Sequence, residues 1–81
     1  MTLNLTKSKV IKLNMIEDLK KFVEAASKVE GEVLIQKDYF IVSGKSILGV
    51  MSIDTSRGVN VIYPANEWEF EQFLEKFEVI A

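Results

Sequence analysis

The chain contains neither cysteine nor histidine. Without cysteine there is no disulfide, no thiolate metal centre and no thiol nucleophile. Without histidine the side chain best suited to proton transfer near neutral pH is missing, and so is any relay that stores a phosphoryl group on imidazole. No apolar run approaches the roughly 18 residues that cross a bilayer. The opening MTLNLTKSK also lacks the apolar stretch of a signal peptide, so the expected location is cytoplasmic. A dominant charge is absent too: the net charge is −2, which offers no electrostatic footprint for nucleic acid. Lysines at 7, 9, 12, 20 and 21 have Glu17, Asp18 and Glu24 among them, the pattern of a solvated face. Those three acids lack the spacing of a calcium loop, and Gly44, Gly49 and Gly58 form no phosphate-cradling motif. No metal or cofactor is expected. With no histidine, no cysteine and no converging pair of acids, an enzyme is disfavoured.

What the chain has is ordinary globular material in a small amount. Of its 81 residues 48% are hydrophobic and 27% charged, too apolar for a disordered chain and only just enough for one core. We therefore expect a single domain over residues 1–81, with 1–7 as a frayed arm or an edge extension. Lys9-Val10-Ile11-Lys12-Leu13 has strand character. Asn14, with Glu17 three residues on, approximates a capping box, and Ile16, Leu19, Phe22, Val23, Ala26 and Val29 then recur at helical spacing. This predicts a helix over about 15–29, stopped at Gly31.

Two runs rich in β-branched and aromatic residues follow, at 32–36 and 39–43, with Lys37-Asp38 between them as a tight turn. Val33 and Ile35 share one face of the first strand, and Phe40 and Val42 share one face of the second. Gly44 leads into Lys45-Ser46-Ile47-Leu48-Gly49-Val50-Met51-Ser52, a serine-capped, almost uninterrupted apolar run that reads as a short helix. Residues 54–58 form a loop. Val59-Asn60-Val61-Ile62-Tyr63 is a fourth strand, which Pro64 ends. Asn66 and Glu69 repeat the cap arrangement, and Phe70, Phe73, Leu74 and Phe77 stripe a last helix over about 67–77. The order β-α-β-β-α-β-α, with no internal repeat and no linker, predicts an α+β fold: one four-stranded antiparallel sheet covered on one face by helices, an open-faced two-layer sandwich.

This order, with Ala26-Ser27-Lys28 closing helix 1 and the segment Lys45–Ser52 opening the second half, resembles HPr, the histidine-containing phosphocarrier of the bacterial sugar phosphotransferase system. The likeness runs without a gap from about residue 25 to Tyr63, and the last helix agrees in placement only. The first 24 residues depart from it. The family carries its phosphoacceptor in a Gly-Ile-His-Ala-Arg-Pro-like loop before helix 1, where this chain reads Leu13-Asn14-Met15-Ile16-Glu17-Asp18. Either Met15 stands in the histidine's place, or the strand runs straight into Asn14 and the active loop is deleted; the strand and cap patterns favour the deletion. In both readings a thioether cannot hold a phosphoryl group, and the two carboxylates would repel one.

The resemblance makes Ser46 a candidate regulatory phosphorylation site, the residue a dedicated serine kinase modifies in many Gram-positive relatives. Read from the residues alone it is an N-cap, bonding the amide of Leu48 or Gly49. Ile47, Leu48 and Met51 cluster on one side of the short helix, with Val50 and Ile53 toward the other. In the family that side docks partner proteins; the alternative is that the last helix or a second copy covers it in a homodimer. Trp68 is a partner anchor or, as favoured here, a lid on the end of the core. The expected function is thus an HPr-like binding module without phosphohistidine chemistry, whose partners are a serine kinase or a regulator of carbon metabolism. The other reading is a self-associating structural protein on the same fold.

Overall fold

In the computed structural model, which describes residues 5–79, the elements follow the expected order. They are β1 (Thr6–Ile11), α1 (Ile16–Ser27), β2 (Leu34–Lys37), β3 (Phe40–Ser43), α2 (Ile47–Met51), β4 (Val59–Pro64) and α3 (Trp68–Glu75), with one 3-10 turn at Thr55–Arg57 in the loop before β4. The sheet is antiparallel throughout, in the spatial order β1-β4-β2-β3. Consecutive strands are neighbours only in the β2–β3 hairpin. The last strand is inserted between the first and second, which ties the two halves of the chain together.

Strand alternation decides which side chains enter the core. Val59, Val61 and Tyr63 of β4 are buried while Asn60, Ile62 and Pro64 between them are less so. Ile11 opposite Val59, and Ile35 opposite Val61, lie on the same side, as does Val33 just before β2. Onto that side pack Phe22 and Ala26 from α1, Val50 from α2, and Phe70 and Leu74 from α3. The aromatic rings meet near the middle. Phe70 sits 5.8 Å from Phe22 and edge-on to Tyr63 at 5.6 Å, an arrangement that pairs ring edge with ring face. The helices thus cover one face and leave the other open, as the pattern predicts.

Several local expectations change. β1 starts at Thr6, so Thr6 and Lys7 are strand and not arm; residues 1–4 of that expected arm lie outside the described residues. Neither asparagine caps its helix. Met15 is the N-cap of α1 and Glu67 that of α3, both without a side-chain cap bond. The cause at α1 is tertiary: Leu13 is drawn into the core, 1% exposed, and bonded to Thr55, so the chain turns into the helix one residue later than Asn14 requires. The hairpin turn is Asp38-Tyr39, with Asp38 at φ 55°, and Lys37 belongs to β2. Pro64 does not terminate β4 early but pairs with Thr6 at its end. Trp68 does not lid the core; it is 61% exposed. Phe40 shares a face with Val42, but at the sheet's corner it stays 66% exposed, beside a shallow cleft of Lys37, Asp38, Ser52, Ile53 and Asp54.

Candidate docking and phosphorylation site

α2 is five residues long, too short to hold itself together by its own hydrogen bonds. It is fastened at both ends. Ser46 sits in the extended conformation of an N-cap, its Oγ accepting from the Gly49 N–H at 3.0 Å and its carbonyl from the Val50 N–H at 2.9 Å. At the far end the Ser52 hydroxyl donates to the Gly49 carbonyl at 2.6 Å. Val50, fully buried, anchors the inner side against the core. Gly49 lets the helix lie close on β3, since a Cβ there would come within 3.3 Å of both Val42 Cβ and Ser46 Oγ.

Anchoring through Val50 turns the other side of the helix outward. Leu48 is 79% exposed, Met51 52% and Ile47 37%, and the Ser46 hydroxyl is on the surface. The three apolar side chains singled out from the sequence therefore share a face with open access, and no other described element covers it. The Lys45 side chain, next to Ser46 in the chain, turns away to the end of α1, where its Nζ donates to the Val29 carbonyl at 2.7 Å. Gly44 before it is tightly packed: a Cβ would lie 2.7 Å from Val33 Cγ1, so the core would have to shift to accept one.

The loop between β1 and α1 is fastened at the other end of the strands, through Thr55. The Leu13 N–H donates to the Thr55 carbonyl and the Thr55 hydroxyl to the Leu13 carbonyl, each at 2.9 Å. Apart from the tyrosine Tyr63, Thr55 is the only buried polar residue among those described, a role its isolated position in a loop did not signal. Its neighbour Asp54 caps the 3-10 turn. Hydrogen bonds from Ser56, at 3.0 Å from its N–H and 2.6 Å from its hydroxyl, hold the Asp54 carboxyl below its ordinary pKa. Met15 lies at the α1 boundary, 60% exposed, followed by Ile16 at 53% and by Glu17 and Asp18 in the first helical turn. No group of three or more acids among the described residues is placed to hold a metal ion. No described helix is long and apolar enough to cross a membrane.

Opposite this end, Tyr63 and Glu71 join β4 to α3. The buried Tyr63 hydroxyl donates to Glu71 Oε2 at 2.6 Å, and Lys7 of β1 reaches the same carboxylate at 3.2 Å. Burial first, then the bond to Glu71, raises the Tyr63 pKa. The same bond, followed by that from Lys7, lowers the Glu71 pKa.

A four-stranded antiparallel sheet in the order β1-β4-β2-β3, three helices on one face, and a serine-capped short helix exposing its apolar side define an open-faced sandwich of the phosphocarrier class. Sequence comparison agrees: the model of the PTS HPr component phosphorylation site matches residues 19–80. The chain belongs to the HPr family. Its fold is similar to that of a solved structure described as phosphocarrier protein HPr from Bacillus anthracis str. Ames, with a TM-score of 0.71 at 23% identity, covering 93% of this chain and 100% of that one. It is also similar to HPr-C-His from Thermoanaerobacter tengcongensis, with a TM-score of 0.66 at 28% identity, covering 89% of this chain and 88% of that one. None of the curated proteins matches it. The matched residues begin inside α1, so the loop at 12–15 lies outside the family match.

Proposed function

We propose that this protein is a regulatory or adaptor module of sugar phosphotransferase control, which acts by binding proteins and is switched by phosphorylation of Ser46. The observation that carries this reading is the absence of any histidine from a chain of the HPr family. A thioether at Met15, followed by two carboxylates in the first turn of α1, offers neither an acceptor for a phosphoryl group nor a cation to steady one. The α2 face, by contrast, is built and open, with polarizable Met51 beside Leu48, a combination suited to an adaptable contact. Its partners are a serine kinase or a regulator of carbon metabolism, and the site of action is the cytoplasm. A phosphate on Ser46 would place about −1.5 to −2 charges at the rim of this apolar face, enough to change which surfaces it accepts.

Incubation with the serine kinase of the phosphotransferase system and labelled ATP tests the switch. Label is expected on the wild type and not on Ser46→Ala. No incorporation, or incorporation that survives Ser46→Ala, removes Ser46 from the proposal. A parallel incubation with phosphoenolpyruvate and the general phosphotransferase enzyme is expected to leave the chain unlabelled; label there would restore a carrier role and overturn the binding-only reading.

A further inference from the structure

The two edges of the sheet are protected differently. Along β1 the segment after α3 returns to the strand: the Val79 N–H donates to the Val10 carbonyl at 2.9 Å, the Lys12 N–H to the Phe77 carbonyl at 3.0 Å, and Ile11 bridges to Glu78. The rest of β1 carries Lys7 and Lys9, charges of the kind that discourage strand addition. β3 has neither device. Its four residues, Phe40 to Ser43, contain no charge and no proline, and Tyr39, Phe40 and Ile41 are 100%, 66% and 58% exposed.

The phase of the ladder shows what this edge presents. A two-residue loop, Asp38-Tyr39, makes Lys37 and Phe40 the closing hydrogen-bonded pair, and bonded positions then alternate. The next ones are Ile35 with Val42 and Val33 with Gly44, and the Gly44 N–H indeed donates to the Val33 carbonyl at 2.7 Å. Ile41, opposite Gln36, falls between them, so its N–H and carbonyl point outward from the edge. A two-fold axis through Ile41, perpendicular to the sheet, satisfies both groups at once, each Ile41 N–H donating to the other's carbonyl. In that register Phe40 lies across from Val42 of the second copy on the helix side, and Tyr39 across from Ser43 on the open side. Opposed residues in an antiparallel pair share a face, so this register keeps both sheets facing the same way; a one-residue slip would not.

We infer that two copies of this chain associate through their β3 edges, antiparallel and centred on Ile41, joining two four-stranded sheets into one. The open face of the sheet supports the join. Its strand positions, including Val10, Ile62, Leu34 and Ile41, bear no charged side chain, so the joined surface brings no like charges together. The area sets the strength. At about 150–250 Å² for a fully exposed aromatic, the three exposed side chains offer about 450 Å² per copy. Two copies would bury at most about 900 Å², short of the roughly 1,200 Å² at which specific stable interfaces begin. The dimer is therefore weak, and forms reversibly as the protein is concentrated.

Sedimentation equilibrium from about 10 μM to about 1 mM, with amide exchange followed by NMR over the same range, tests the pairing. The expected result is a rise in mean mass with concentration and slower exchange at the Ile41 amide. Ile41→Lys should abolish both, while Leu48→Asp leaves both unchanged. Ile41 is exposed, so the variant should fold, and its circular dichroism checks this. A monomer throughout the range overturns the inference. So does association that survives Ile41→Lys, or that Leu48→Asp abolishes, since the latter would place the seam on α2.

Discussion

Thr55 and Leu13 hold each other by two hydrogen bonds of 2.9 Å, main chain to main chain in one direction and hydroxyl to carbonyl in the other. This clasp joins the loop before α1 to the turn before β4, two segments 42 residues apart. Thr55→Val keeps the shape and removes the hydroxyl, leaving the Leu13 carbonyl short of a partner in a buried place. A loss of about 1–3 kcal/mol is expected, read as a lower urea midpoint with an unchanged slope.

Tyr63 and Glu71 make stability depend on pH at both ends of the scale. The folded-state pKa of Glu71 lies below its ordinary 4.5, so its contribution is present above that value and fades as pH falls through the folded pKa. That of Tyr63 lies above its ordinary 10.0, so its contribution is present below pH 10 and fades as pH rises further. Tyr63→Phe removes the shared bond. It should cost about 1–2 kcal/mol at neutral pH and flatten both the acid and the alkaline limb of a stability–pH curve.

Gly44→Ala should destabilise although it leaves every hydrogen bond in place. The new methyl would meet Val33 Cγ1 at 2.7 Å and Phe22 Cε1 at 3.2 Å, both in the closed core. Overpacking of this kind costs about 1–3 kcal/mol, measurable as a drop in thermal midpoint.

At Ser46 the cap and the switch can be separated. Ser46→Ala loses the bond to the Gly49 N–H and should cost about 1 kcal/mol. Ser46→Asp keeps a cap acceptor and suits the helix start, so its stability should stay within about 0.5 kcal/mol of wild type. Denaturation curves of the two variants decide it; equal losses would show that the cap contributes nothing.

The two sides of α2 should respond oppositely to the same charge. Leu48→Asp falls on the exposed side and should leave the urea midpoint nearly unchanged. Val50→Asp places a carboxylate in a fully buried position without a partner and should unfold the domain.

Much of the fold was legible in the chain because its signals are local. Helical spacing from Ile16 to Ala26, alternation in Val59-Asn60-Val61-Ile62-Tyr63 and the serine before Ile47 each depend on neighbours a few residues away, and all three elements form where those signals stand. The side of α2 that faces outward was legible too, since burying Val50 leaves Leu48 and Met51 nowhere else to point. The caps were not. Asn14 is a good capping residue, but Leu13 beside it is captured by Thr55 from the far half of the chain, and that distant bond sets where α1 begins. Trp68 has the composition of a core residue, yet Phe70 and Leu74 take the inward side of α3 and leave it in solvent.

By itself, then, the sequence determined the class of fold, the lack of any histidine and the serine-led apolar face, because composition and short-range periodicity decide those. Only the tertiary structure decided which sheet edge is covered and which is open. The return of Phe77 to Val79 along β1 and the outward groups of Ile41 on β3 depend on strand order, and strand order is set by contacts between residues far apart in the chain.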